Sequence, residues 1–332
     1  MSAAFPAPAL PQDLREIIVT CLTDSPRALA ACAQAHRSLT RLAQSLLFHT
    51  ISLTSAEHIH ALVRTLQQSP HLAVYVRHLL IAQPSPGARN FQGNAISLGA
   101  SSMYIDSLEG LLPNVEKAVL RCSRYYHRTP GMSARNRDGI MMFSAPNGGN
   151  AFIAQCSQTL RVLEVDYNIH GLTNRDLDRS YHLSLPSLHT LILGHRSLVT
   201  DSTLRACVAT VPNVQRLVLW TGLAPRQVME HDISPEGVVF GSALPPALGG
   251  PPKVVLKTAI IDGWHNLKRV VLVKQEDAER KERHGDEWEE QLGALHCSNG
   301  REVEVVIVQI PPSRLDENTF APLLAFELPS TR

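Results

Sequence analysis

A turn followed by a short apolar strand recurs along this chain, and a recurring unit restricts a fold more than any isolated motif does. Its full form is Leu112-Pro113-Asn114-Val115-Glu116-Lys117-Ala118-Val119-Leu120, then Leu185-Pro186-Ser187-Leu188-His189-Thr190-Leu191-Ile192-Leu193, then Val211-Pro212-Asn213-Val214-Gln215-Arg216-Leu217-Val218-Leu219. Gln158-Thr159-Leu160-Arg161-Val162-Leu163-Glu164-Val165 and Asn266-Leu267-Lys268-Arg269-Val270-Val271-Leu272 share its second half. Val76-Arg77-His78-Leu79-Leu80-Ile81 is a degenerate first copy. Proline followed by asparagine or serine sets the turn, and the strand after it buries alternate positions. Leu160 and Leu188 lie 28 residues apart and Leu188 and Val214 lie 26 apart, an interval of stacked repeat units. Intervals of 45 residues (Val115 to Leu160) and 53 (Val214 to Leu267) require an insertion or a further unit. Asp201 to Val208 reads as a capped helix between strands, and Ile153 to Cys156 as a shorter equivalent. Strands ending at Leu120, Val165, Leu193, Leu219 and Leu272 should therefore lie parallel and in chain order, because right-handed units stack sequentially. An ordinary α/β domain with parallel strands would give the same alternation.

Ahead of the repeats stands a helical module. Pro11 suits a first helical turn, and Leu14, Ile17, Ile18, Cys21 and Leu22 recur on one helical stripe. Ser25-Pro26 starts a second helix through Leu29, Cys32 and Ala33, and Leu39, Leu42, Ala43, Leu46 and Leu47 mark a third. Phe48, Ile51 and Leu53 then switch toward strand spacing. Three helices in roughly 45 residues bury too little apolar surface to stand alone. The rest of the chain or a partner must cover the remainder. Thr54-Ser55-Ala56-Glu57 is a capping box for the helix that follows, with Ile59, Leu62, Val63 and Leu66 on one face and a stop near Pro70.

The run Leu10-Pro11-Gln12-Asp13-Leu14, with Ile17-Ile18, Leu22, Leu29, Cys32, Arg37 and Leu46-Leu47-Phe48, resembles an F-box, in particular the fungal F-box-like proteins. Many F-boxes carry tryptophan two residues after the arginine; here the position is Leu39, which keeps the apolar volume. The resemblance implies docking onto the small adaptor subunit of a cullin-based (SCF-type) ubiquitin ligase. The docking residues would be Leu10, Pro11, Leu14, Ile17, Ile18, Leu22, Leu29 and Leu39. The second half resembles the irregular leucine-rich-repeat region that often follows an F-box, although it lacks the asparagine or cysteine ladder of regular repeats. The expected fold class is α+α/β: a three-helix F-box-like module over residues 9–53, then a linker helix and first strand over 54–82. An irregular leucine-rich-repeat-like solenoid of parallel strands fills 83–310, with insertions near 122–150, 222–252 and 275–300.

Gln83 to Ser102, Ser123 to Asn150 and Gly222 to Pro252 are rich in Pro, Gly, Ser or Asn and read as loops. Arg124, Tyr125, Tyr126 and Arg128 are the substrate-binding candidates, since arginine and tyrosine are enriched in interface hot spots. Gln275 to Leu295 reads as a solvated helix pinned by Trp288, Leu292 and Leu295 at helical spacing.

Charge and composition narrow the function. Lysine plus arginine number 31 against 30 acidic residues, a net charge of +1, so there is no overall basic field for nucleic acid and no like-charge block for a membrane. The cysteines are dispersed without a C-x-x-C pair; Cys21 and Cys32 read as small core residues, as in a reducing, intracellular compartment. No P-loop, G-x-S-x-G, H-E-x-x-H or dinucleotide fingerprint occurs, and His58 and His60 do not face each other on a helix. The expectation is a non-catalytic adaptor without cofactor or metal that binds a protein substrate, in cytoplasm or nucleus. Two alternatives are a repeat scaffold capped by F-box-like helices and a hydrolase with a site hidden in the insertions.

Overall fold

The computed structural model describes residues 11–82, 105, 107–121, 150–166, 184–193, 201–220, 232–234, 237–241, 253–275 and 288–310. It begins with α1 (Gln12–Thr20), α2 (Pro26–Ala35) and α3 (Arg37–Leu47). Pro26 fills the first turn of α2, where no N–H is needed. His36 then turns extended and caps α3, its Nδ1 accepting from the Ser38 N–H at 3.1 Å. Thr40 Oγ1 donates to the Ala33 carbonyl at 2.8 Å and ties α3 to α2.

The chain continues as β1 (Thr50–Leu53), α4 (Ala56–Gln68), a 3-10 turn over Pro70–Tyr75 and β2 (His78–Ala82). Ser55 caps α4 by accepting from the His58 N–H, one residue later than the Thr54–Glu57 capping box places the cap. Then come β3 (Lys117–Arg121), α5 (Asn150–Gln155), β4 (Val162–Asp166), β5 (Thr190–Leu193), α6 (Asp201–Thr210) and β6 (Arg216–Trp220). The remaining elements are β7 (Asp232–Ser234), β8 (Gly237–Gly241), β9 (Lys253–Lys257), α7 (Thr258–Ile261), β10 (Arg269–Gln275), β11 (Trp288–His296) and β12 (Glu302–Ile310).

Nine of the strands form one mixed sheet in the order β1-β2-β3-β4-β5-β6-β10-β12-β11. Every neighbouring pair from β1 to β12 is parallel, and only the edge strand β11 is antiparallel. The five strands that the repeat anticipates thus lie side by side in chain order. Register is constant: Leu79, Ala118, Leu163, Leu191, Leu217, Val270 and Val305 stand in one row, and Ile81, Leu120, Val165, Leu193, Leu219 and Leu272 in another. Both rows face one continuous core with Ile59 and Leu66 of α4, Phe152 and Ile153 of α5, Leu204 and Cys207 of α6, and Ile260 and Ile261 of α7. Trp264, fully buried, closes the 53-residue interval by donating its indole N–H to the Val211 carbonyl at 2.9 Å.

Two ladders bind each unit to the one before it. Arg77 O accepts from the amides of Glu116 and Lys117, Glu116 O from Arg161 and Val162, Arg161 O from His189 and Thr190, and His189 O from Gln215 and Arg216. The second ladder consists of side chains at the turns. Asn114 Nδ2 reaches Val74 O (3.1 Å), Thr159 Oγ1 reaches Val115 O (2.9 Å), Ser187 Oγ reaches Gln158 O (2.8 Å) and Asn213 Nδ2 reaches Pro186 O (2.8 Å). Asn266 Nδ2 completes it on Asn213 Oδ1 at 3.1 Å. The sequence reading expects no ladder because it seeks one residue type at one position. The structure builds one from three residue types sharing a short donor-bearing side chain.

Two expectations are corrected. Trp288 to Leu295, read as part of a helix, belongs to the edge strand β11 (Trp288–His296). Asn299-Gly300 turns the chain, with Gly300 at φ 77°, and the exposed edge of the valine-rich β12 recruits the segment as its partner. The register shifts between Gln291 and Gly293, so Leu292 is the bulged residue and the helical spacing of Trp288, Leu292 and Leu295 is incidental. Within Gly222–Pro252, read as loop, lie β7 and β8, which pair antiparallel with each other, and β8 pairs antiparallel with β9 just after that segment. Val238-Val239-Phe240 supplies the strand propensity that the flanking Gly and Pro obscure.

Candidate functional site

The first helix carries two apolar faces. Val19 is fully buried and packs with Leu29 and Ala43, while half-buried Leu22, Leu39, Leu42, Leu46 and Leu47 close around them. Turned the other way, Leu14, Ile17 and Ile18 are 47%, 57% and 44% exposed, and Cys21 on the same stripe is exposed as well. The single stripe of the sequence reading therefore divides. The i, i+3, i+4 set Leu14-Ile17-Ile18 faces solvent, and Arg15, Val19 and Leu22 face the helices. Pro11 is exposed beside the outer face, and a Gln12 to Glu16 hydrogen bond of 3.0 Å lies along its rim.

Other candidate residues fare differently. Leu29 is 2% exposed, so it holds the module together and offers no contact surface; Leu22 and Leu39 are half-buried in the same core. Cys21, expected in the core, is at the surface. Leu10 and the substrate candidates Arg124, Tyr125, Tyr126 and Arg128 lie outside the described residues.

A second surface feature runs across the starts of the parallel strands. Thr50, His78, Lys117, Val162, Thr190, Arg216, Arg269 and Glu304 stand side by side in register. The residues just before them include Arg77, Glu116, Arg161, His189 and Lys268. Arg77 pairs with Glu116 at 3.0 Å and Arg269 with Glu304 at 3.2 Å. Burial, His49 and Lys117 push the His78 imidazole down to about 4, and burial with Arg161, Arg216 and Lys117 lowers His189. The imidazoles of His49 and His78 meet edge-on, centroids 4.5 Å apart, with Thr50 Oγ1 3.3 Å from His78 Nδ1. No motif announces this band, because its members come from separate units and meet only through the register.

Nucleophilic and metal chemistry find little footing. Burial pushes the Cys156 and Cys207 thiols up to about 12, away from the reactive thiolate. Among the described residues no group of three or more His, Cys, Asp or Glu side chains is placed to hold a metal ion. Among the same residues no helix is long and apolar enough to cross a membrane.

Residues 8–87 match the family model described as the COS11 F-box domain, a stretch that runs from the helical module through α4 and β2. F-box domains bind the small adaptor subunits of cullin ligases. No curated protein matches the chain.

Proposed function

Because residues 8–87 carry an F-box domain, which makes the chain an F-box protein, we propose that it is the substrate-recognition adaptor of an SCF-type cullin ubiquitin ligase. It works as a non-catalytic, intracellular subunit: the F-box docks the ligase adaptor, the sheet domain holds a protein substrate, and ubiquitin chemistry resides on other subunits. The observation that carries this reading is the outer face of α1. Three large apolar side chains, Leu14, Ile17 and Ile18, stand in water on a module that buries Val19 beside them. A helix that only capped the sheet would turn those side chains inward, so their exposure counts against the scaffold reading. With Leu10 and Pro11 they form the docking patch, and Leu22, Leu29 and Leu39 support it from behind.

The sheet domain is read as an irregular leucine-rich-repeat-like solenoid over 83–310. Support comes from the chain-order parallel strands, the constant register and the turn ladder. The substrate is placed near the Ser123–Asn150 insertion, which opens after β3, with Arg124, Tyr125, Tyr126 and Arg128 as anchors.

Replacing Leu14 and Ile17 together by aspartate tests the docking face. Both side chains are exposed, so the melting temperature should hold while co-purification of the ligase adaptor is lost. Failure of the wild-type chain to bind a purified adaptor would sink the assignment.

A further inference from the structure

We propose that the segment after β12, residues 311–332, straps the second face of the sheet and closes it to other occupants. That face carries Val119, Glu164, Ile192, Val218, Val271 and Val306 side by side in register from β3 to β12. All six are at most 8% exposed, and Val273 and Val308 further along the strands are equally closed. Yet among the described residues the apolar cluster on this side consists of strand side chains alone, whereas α4, α5, α6 and α7 all pack on the other side. Side chains standing out from a sheet are not closed off by their own strands, so this face needs a cover. The sequence agrees: Thr190-Leu191-Ile192-Leu193 and Val270-Val271-Leu272-Val273 lack the polar alternation of a sheet with one wet side. Lys117, Glu164, Arg216 and Arg269, all on this face, hold interactions beyond the Arg269–Glu304 pair, so the cover brings polar groups as well.

Position and composition single out 311–332. Internal segments must return to a helix on the core side or to the next strand, as 122–149 returns to α5 and 194–200 to α6. Among the described residues no element follows β12. Pro311-Pro312 stops the strand by removing two amide donors. From Ile310 to Asp316 is six residues, about 20 Å when extended, which equals β12 from Glu304 to Ile310 and brings the chain back to the strand starts. Asp316-Glu317 there meet Arg216 and Arg269, neighbours in the strand-start row. Phe320, Leu323, Leu324 and Leu328 then recur at the spacing of one apolar helical stripe, with Thr319 ahead as a cap and Pro329 behind as a stop. A helix from Phe320 to Leu328 is about 14 Å long, matching the three interstrand steps from β12 to β5. Those strands carry Val306, Val271, Val218 and Ile192. A face closed by its own chain leaves the rim insertions for cargo, whether or not the F-box docks a ligase.

Two measurements on the full chain, without any ligase subunit, test this. Val218→Cys combined with Leu323→Cys or with Leu324→Cys should form an intramolecular disulfide under mild oxidation, read by mass spectrometry of the digested protein. Val218→Cys with Met142→Cys, which samples the apolar run of the 122–149 insertion, should stay reduced. In the second measurement, Phe320→Asp with Leu324→Asp should release the strap. Fluorescence anisotropy with a labelled peptide of residues 311–332 should then show binding at least about 10-fold tighter than to the wild type, whose own strap competes. The cysteine pairs decide the matter if the aspartate variant does not fold. Both Val218 pairs with the strap staying reduced, crosslinking to Met142 instead, or equal peptide binding by wild type and a folded variant would each overturn the proposal. Crosslinks formed only between two molecules would assign the face to a second copy and overturn it too.

Discussion

The helical module and the sheet handle apolar residues in opposite ways. Among the described residues the module buries Val19, Leu29 and Ala43 and leaves Leu14, Ile17 and Ile18 in water. The sheet runs one core from Leu53 to Val305 and adds a second cluster, Ile192, Val218, Val271, Val273 and Val308, on its other side. A region buried on both faces does not depend on a partner for its stability. The small module is different: its outer helix face gains from being covered, so ligand binding and folding are linked there.

That contrast predicts the largest effect. Trp264→Ala should cost about 3–5 kcal/mol, because it empties a fully buried site and leaves the Val211 carbonyl without its indole donor. Leu29→Ala should cost about 2–3 kcal/mol, at the low end because a thin core can collapse around the gap. Saturating ligase adaptor should restore much of the Leu29→Ala loss and little of the Trp264→Ala loss, read as denaturation midpoints with and without adaptor. Equal rescue of both would erase the distinction between the regions.

How legible these features were depends on how local their signals are. The helices of the module, the start of α4 to within one residue and five strands of the sheet follow from apolar spacing and turn residues within a dozen positions. The β11–β12 hairpin was equally local, since Asn299-Gly300 stands between Leu295 and Val303, yet the dense charges before Trp288 favoured a helical reading. The exposure of Ile17 against the burial of Val19 was not legible: both sit on apolar helical spacing, and only the placement of α2 and α3 decides which is covered. The strand-start band is fixed by register between residues 26 to 53 positions apart, such as Thr190 and Arg216 or Arg216 and Arg269; the repeat makes these positions equivalent, and only strand pairing brings their side chains together.

The joint between the two regions should respond to acid. His78 of β2 lies against His49, which ends the helical module, and its imidazole is held down at about 4 from 6.5. Between those values the unfolded chain takes up a proton that the folded chain refuses, so stability falls as pH drops from about 6.5 toward 4 and is unaffected above. The full shift would correspond to about 3 kcal/mol, but the ring is half exposed and solvent screening reduces this to roughly 1–2 kcal/mol. Melting curves at pH 7 and pH 5 should therefore separate for the wild type and draw together for His78→Gln. A variant as acid-sensitive as the wild type would move the titrating group elsewhere, His189 being next by the direction of its shift.

The smallest effect asks whether the turn ladder contributes to the sheet or only decorates it. Asn213 is exposed, yet its amide donates to Pro186 O at 2.8 Å and its carbonyl oxygen accepts from Asn266 at 3.1 Å, joining three successive units. Water can replace both partners, so Asn213→Ala should cost only about 0.5–1 kcal/mol in a urea titration. Ser187→Ala removes the preceding rung, a 2.8 Å bond to Gln158 O, and should cost a similar amount. If the ladder orders the turns cooperatively, the double variant should lose measurably less or more than the summed single losses, since the two rungs meet at Pro186 and Ser187. Strict additivity would mean each side chain fixes its own turn alone. No loss in either single variant would leave the core and the backbone ladder as the determinants of the sheet, and the same Asn, Ser and Thr positions would then mark turn geometry and nothing more.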